Sequence, residues 1–197
     1  MLLFLLICFG SINAKRLQIL IQVNVIEVFS SEICIKFIGM ETKNKKNNTL
    51  EIGDSLPSFS LMDQEGAIWD STTRLAGKIS IIYFYPKDES GICTQEACAF
   101  RDSFTAFTDA GIQVVGINSA NVESHKKFAK KNNLPFTLLS DTNNSVLKQF
   151  GVRNALFLTG RETFIFGADG KLLYKFRNFF KGDDHVSKTL AFLGIKP

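Results

Sequence analysis

Cys93 and Cys98 lie inside the run Tyr85-Pro86-Lys87-Asp88-Glu89-Ser90-Gly91-Ile92-Cys93-Thr94-Gln95-Glu96-Ala97-Cys98. The following stretch, Thr94 to Ala110, places Ala97, Phe100, Phe104 and Phe107 at helical spacing and ends at Gly111, where a helix-terminating glycine is expected. Cys93 therefore stands at a helix N-terminus. Free amides and the helix dipole favour thiolate over thiol there, and a cysteine of ordinary pKa ~8.5 can drop toward neutrality. A sulfur of that kind can attack a peroxide oxygen, provided donors hold the peroxide and stabilise the oxygen that leaves. Ser90 Oγ and the backbone amides of the Gly91 to Cys93 turn can supply them, and Pro86 fixes the chain direction at the strand end.

On an intact helix the spacing of Cys93 and Cys98 separates their α-carbons by roughly 8 to 9 Å. A disulfide seldom tolerates more than about 7 Å. If the two pair, the first turns of the helix must unwind in every turnover. Taken alone, Cys98 reads equally well as an inert small hydrophobe on an apolar helix face.

Around this segment, strand and helix patterns alternate from Leu50 onward, as in an α/β domain. Ser58 to Met62 and Ala67 to Asp70 flank the turn-rich Asp63-Gln64-Glu65-Gly66, which predicts a hairpin. Lys78 to Tyr85 is a nearly continuous apolar run and reads as a buried central strand leading into the cysteine segment. A strand over Ile112 to Asn118 precedes a helix over Val122 to Lys131; the order repeats with Phe136 to Leu139 and Ser145 to Phe150. Thr163 to Phe166 and Leu172 to Phe176 form a second hairpin, and Asp183 or Asp184 caps a last helix reaching about Leu193. These elements predict a central mixed β-sheet flanked by α-helices, a thioredoxin-like fold.

The formal charge of +4 owes part of its excess to a short polar run, Lys43 to Asn48, and no basic face carries interleaved aromatics. Nucleic acid is excluded as a partner. The 19 phenylalanines are spread along the chain as core material. His125 and His185, the chain's 2 histidines, are expected to face solvent without a role, and no set of four ligands suits zinc. Cys8 and Cys34, the other two of the 4 cysteines, belong to the apolar N-terminal stretch and leave with a leader or serve as small hydrophobes.

The cysteine segment resembles the peroxiredoxin active-site pattern Pro-x-x-x-Thr/Ser-x-x-Cys, and the offset to the second cysteine is that of the peroxiredoxin Q branch. The similarity continues through Ala97-Cys98-Ala99-Phe100-Arg101-Asp102, Ser124-His125-Lys126-Lys127-Phe128-Ala129, Leu134 to Asp141 and Gly160-Arg161-Glu162-Thr163-Phe164. Plastid members from plants and algae look most similar. The resemblance implies a thioredoxin-dependent peroxidase in which Cys93 is peroxidatic, Cys98 resolves it as an intramolecular disulfide, and Pro86, Ser90 and Arg161 support the sulfur. It implies no cofactor, a hydroperoxide substrate, thioredoxin or a similar dithiol as reductant, and a monomer. Without it, Arg161 reads as an ordinary ion-pair residue.

Where the family has Thr-Pro-Gly before the cysteine, this chain has Ser90-Gly91-Ile92. The hydroxyl is kept, while the turn loses its ring and gains a β-branched residue, which is expected to slow catalysis. Two rival functions follow. One is a general disulfide oxidoreductase, which the absence of a Cys-x-x-Cys pair disfavours. The other is a peroxide sensor or holdase-like protein with slow turnover.

Residues 1–49 read as a leader and polar linker, with 50–197 the catalytic domain. Met1 to Ala14 resembles a secretory signal peptide that lacks a basic start, and Leu17 to Val28 is too short and interrupted to anchor the chain in a membrane. A plastid address is expected through this leader; a start at Met40 would instead leave the protein in the cytoplasm.

Overall fold

The computed structural model describes residues 49–153 and 160–196. The expectations for the leader, with Cys8, Cys34 and Met40, fall outside them. The elements run β1 (Ser60–Asp63), β2 (Ile68–Asp70), α1 (Ser71–Arg74), β3 (Ser80–Phe84), α2 (Gly91–Asp102), α3 (Phe104–Asp109), β4 (Gln113–Asn118), α4 (Val122–Asn132), β5 (Thr137–Ser140), α5 (Ser145–Phe150), β6 (Glu162–Phe166), β7 (Leu172–Arg177) and α6 (Gly182–Leu193).

Seven strands form one mixed sheet in the order β2-β1-β5-β4-β3-β6-β7. β3, β4 and β5 run parallel, joined by helical crossovers, while the β1-β2 and β6-β7 hairpins add antiparallel edges. This is the thioredoxin-like arrangement expected from the element order. Every residue of β3 is buried, so both of its faces are covered. Ile81 and Tyr83 point into one core with Phe100, Phe107, Phe128 and Val186, beneath α2, α3, α4 and α6. Ile82 and Phe84 point into the other, with Phe59, Trp69, Val146 and Phe150, beneath α1 and α5. The alternation is the two-residue period of a strand, and it lets one short segment tie both layers together.

Phe150 is fully buried and its ring lies 5.0 to 6.0 Å from those of Phe59, Phe84, Phe164 and Phe166, mostly edge to face. Removing a ring of this kind typically costs about 3–5 kcal/mol.

Three expectations are corrected. The helix after Cys93 starts earlier, at Gly91, and is interrupted at Ser103, whose backbone (φ −96°, ψ 3°) leaves the helical region before α3 resumes. Asp102 and Ser103 are poor interior helix formers because their side chains compete for backbone groups. The last helix has Lys181 at its N-cap, with no side-chain cap; Asp183 and Asp184 sit in the first turn, where their charges oppose the helix dipole favourably. His125 and His185 do not face solvent, for both are fully buried.

Candidate active site

Cys93 is fixed by the end of β3, which delivers the chain to Tyr85 and Pro86, and by the first turn of α2. Ser90 is the N-cap of α2 in extended conformation, and its Oγ accepts from the amide of Cys93 at 3.4 Å. A hydroxyl in this role satisfies one amide that the helix itself cannot bond. The sulfur is buried, with 1% of the residue exposed.

Arg161 meets it from the other side of the sheet register. β6 runs antiparallel to β3, pairing Phe84 with Glu162, so the residue before β6 lies beside the residue after β3. From there Arg161 Nη2 donates to Cys93 Sγ at 3.1 Å, Nη1 donates to Glu96 Oε2, and Nε donates to the carbonyl of Phe179 at 3.3 Å. A guanidinium cannot lose its proton, so a positive charge and a directed N–H are permanently presented to the sulfur. The structure thus brings together Ser90, Cys93 and Arg161, while Pro86 lines the cleft beside Ser90. Cys98 is farther along the unbroken helix α2, partly buried, and both thiols are free.

The loop between β3 and α2 is anchored by Asp88, whose burial sequence reasoning missed. Its Oδ1 accepts from Tyr85 Oη at 2.9 Å and Asn118 Nδ2 at 2.8 Å; its Oδ2 accepts from Ser124 Oγ at 2.7 Å and faces His125 Nδ1 at 3.1 Å. Burial pushes this carboxyl up, but the bond to His125 and that ring's charge, with the Ser124 and Tyr85 hydroxyls, outweigh it and hold the group below the usual carboxylate range. His125 Nε2 faces the Leu139 carbonyl at 3.2 Å. Glu89 follows in the left-handed region (φ 58°), a conformation that strains a residue with a side chain, and Lys131 Nζ lies 3.4 Å from its carboxylate. A cleft of about 560 Å³ opens over this loop, lined by Pro86, Lys87, Ser90, Asn118, Ser119 and their neighbours.

Behind the sulfur lies a second polar group that the sequence did not reveal. Glu96 is fully buried on α2, and His185 of α6 faces it at 3.6 Å from Nδ1 to Oε1. His185 Nδ1 also meets Thr163 Oγ1 at 2.8 Å and Nε2 meets the Asn178 carbonyl at 2.9 Å. α6 can approach this closely because of Gly182: a Cβ there would stand 2.5 Å from the Ile92 carbonyl oxygen and 2.8 Å from Glu96 Cβ. Gly91, by contrast, has open space around it. A spacing signal for both histidines existed, since His125 precedes Phe128 and Ala129, and His185 precedes Thr189, on the buried stripes of their helices. Among the described residues, no three His, Cys, Asp or Glu side chains converge as metal ligands, and no helix is long and apolar enough to cross a membrane.

The AhpC/TSA family profile matches residues 52–175, most of the described domain. The chain belongs to the AhpC/TSA family. Within it the relatives are peroxiredoxins of the Q branch. The chloroplastic peroxiredoxin Q of Sedum lineare is 48% identical over 143 residues, 72% of this chain and 76% of that protein. Chloroplastic peroxiredoxin Q of Oryza sativa subsp. japonica is 44% identical over 143 residues, which span 65% of its length. Among solved structures, peroxidoxin BcpB of Mycobacterium tuberculosis superposes with a TM-score of 0.69 at 34% identity, covering 74% of this chain and 97% of that one. A cysteine-to-serine mutant of Xanthomonas campestris peroxiredoxin Q gives 0.65 at 28%, covering 69% and 90%. The peroxiredoxin thus carries its Cys93 sulfur and Arg161 on a sheet and helix frame shared with these enzymes.

Proposed function

We propose that this peroxiredoxin is a thioredoxin-dependent peroxidase that reduces hydrogen peroxide and organic hydroperoxides to water and alcohols, and so serves antioxidant defence and redox homeostasis. The observation that carries the reading is the 3.1 Å bond from Arg161 Nη2 to a sulfur held at the start of α2. Ionic charge on sulfur is stabilised by the guanidinium and by the helix amides, and the same donors face a peroxide oxygen arriving at the sulfur.

In the first step the Cys93 thiolate attacks the terminal oxygen of ROOH. A sulfur–oxygen bond forms, the O–O bond breaks, and the departing alkoxide takes a proton to leave as ROH, with Cys93 left as sulfenic acid. In the second, the Cys98 thiol condenses with the sulfenic acid, forming the disulfide and releasing water. Cys93 and Cys98 both lie in the unbroken helix α2, where their α-carbons are separated by roughly 8 to 9 Å, so the first turns of α2 melt before the bond closes. A dithiol protein of the thioredoxin kind then reduces the disulfide by exchange and is itself oxidised.

We assign the catalytic domain to residues 50–197 and residues 1–49 to a targeting extension, with a plastid as the compartment; the chloroplastic names of the relatives support it. Mass spectrometry after one equivalent of hydroperoxide tests the chemistry. A Cys93–Cys98 disulfide in the wild type and a stable sulfenic acid at Cys93 in Cys98→Ser are expected. Oxidation at Cys98 with Cys93 unchanged would contradict the assignment.

A further inference from the structure

Arg161 serves two ionisable acceptors at once, Cys93 Sγ and Glu96 Oε2, and its single positive charge cannot neutralise both if both are anionic. Glu96 has no exposed surface, and its second oxygen, Oε1, has no hydrogen-bond partner. A buried carboxylate oxygen with no donor is costly. The polar atom facing Oε1 is His185 Nδ1, at 3.6 Å. His185 Nε2 meets the Asn178 carbonyl at 2.9 Å and accepts from the Asn178 amide at 3.3 Å, while Nδ1 meets Thr163 Oγ1 at 2.8 Å. Nδ1 thus has a nearer partner in Thr163, Oε1 is left without a donor, and a proton on Oε1 turns the orphaned acceptor into a donor directed at the ring.

We propose that Glu96 is held un-ionised in the reduced protein at neutral pH, with its proton on Oε1 toward His185, so that the charge of Arg161 is left to the sulfur of Cys93. Glu96 is then a positioning residue: it orients the guanidinium through Oε2 without consuming its charge.

The surroundings agree from every packed element. Burial pushes the Glu96 carboxyl up to about 8, although the charge and hydrogen bond of Arg161 pull the other way. Burial likewise pushes His185 down to about 4, so this ring brings no positive charge to Glu96, and Lys188 of the same helix is exposed; Asp184, in its first turn, is bonded by Asn178 Nδ2 and adds negative charge on that side. From β3, the Tyr83 hydroxyl is buried without a partner, and burial holds it in its neutral form, so it brings no charge to Glu96. From α2 itself the neighbour is Cys93, whose negative charge, when present, disfavours a second one. Arg161 is the sole positive group in contact with Glu96 among the described residues.

The proposal rests on the peroxidase reading for its kinetic consequence alone. As pH rises through about 8, Glu96 ionises, cancels Arg161 and sets a negative charge behind the sulfur and the incoming peroxide. The rate of Cys93 oxidation by hydrogen peroxide should fall on an alkaline limb centred there. Glu96→Gln keeps an oxygen for Arg161 and an N–H for His185, and should lack the limb, oxidising about tenfold faster than wild type one pH unit above it.

Two measurements do not involve peroxide. Infrared spectra of the reduced wild type should contain the carbonyl stretch of an un-ionised carboxyl at neutral pH, bleaching as pH passes about 8, and Glu96→Gln should lack it. Denaturant midpoints should separate in favour of Glu96→Gln as pH rises from 4.5 to about 8, because over that interval only the unfolded wild-type chain gives up the proton. Glu96→Met, neutral and of similar size, serves where the Gln variant does not fold. An absent band at neutral pH, a band surviving in the variants, or an alkaline limb persisting in Glu96→Gln would each overturn the proposal. Failure of the wild type to consume peroxide at any pH would instead sink the peroxidase reading and leave the infrared result standing.

Discussion

Arg161 Nη2 stands 3.1 Å from Cys93 Sγ across 68 residues of chain, because antiparallel pairing of β3 and β6 sets the entry to one strand beside the exit of the other. Arg161→Lys keeps a positive charge but loses the planar fork that reaches Cys93 and Glu96 together. Peroxide oxidation of Cys93 is expected to slow by about 10²- to 10³-fold, the usual cost of one directed donor at a reacting oxygen. Stopped-flow oxidation of the reduced protein checks it, and a Lys variant at wild-type speed would refute the assigned role.

Disulfide formation demands local melting. Amide exchange over Cys93 to Arg101 is expected to accelerate when the wild type is oxidised and to stay slow in peroxide-treated Cys98→Ser, since α2 must open only to admit Cys98. Equal protection in reduced and oxidised wild type would mean the helix accommodates the bond intact.

Asp88 holds the loop that carries Ser90, through partners on β4 and α4 and at Tyr85 just after β3. Asp88→Ala strands His125, which has no exposed surface, without its carboxylate, and such losses typically cost about 3–5 kcal/mol. Chemical denaturation measures this directly; a change under about 1 kcal/mol would mean that the pair is replaced by other contacts or water.

At Gly182 the issue is space, not conformation. Gly182→Ala drives a methyl toward the Ile92 carbonyl and the backbone of Glu96, so α6 must shift away from α2. A loss of about 1–3 kcal/mol is expected, with peroxide reactivity falling as well because the same contact seats Glu96 and Cys93. Thermal melts and peroxide kinetics of the variant check the two effects together; unchanged values of both would show that α6 is free to move.

How much of this was readable from the chain can be judged from particular residues. Lys78 to Tyr85 announced a buried strand, Gly111 a helix end, and Cys93 a helix start, because local pattern and local capping decide such features. Asp88, Glu96 and His185 were not readable, since each owes its role to partners brought in by the sheet: Asn118 and Ser124, Arg161, and Thr163. Both histidines were expected in water because the type suggested it, although their spacing to Phe128 and Thr189 placed them on buried stripes. A lone polar residue on an apolar face gives no warning that a partner waits inside.

His185 makes stability depend on acid. Burial holds its folded-state pKa down at about 4, against 6.5 for the free side chain, so the unfolded chain binds the extra proton first. The His185 contribution should be fully present above pH 6.5 and decline as pH falls from there toward 4, by on the order of 3 kcal/mol for this group. His185→Gln should flatten that part of the profile; an identical slope in the variant would assign the acid sensitivity to other groups.

The most direct test of the central claim is peroxide consumption by the reduced protein with a thioredoxin-type dithiol supplied, comparing wild type with Cys93→Ser. Continuous turnover in the wild type and none above the uncatalysed background in the variant is the expected result. Equal consumption by the two proteins would place the chemistry somewhere other than at Cys93 and contradict the account.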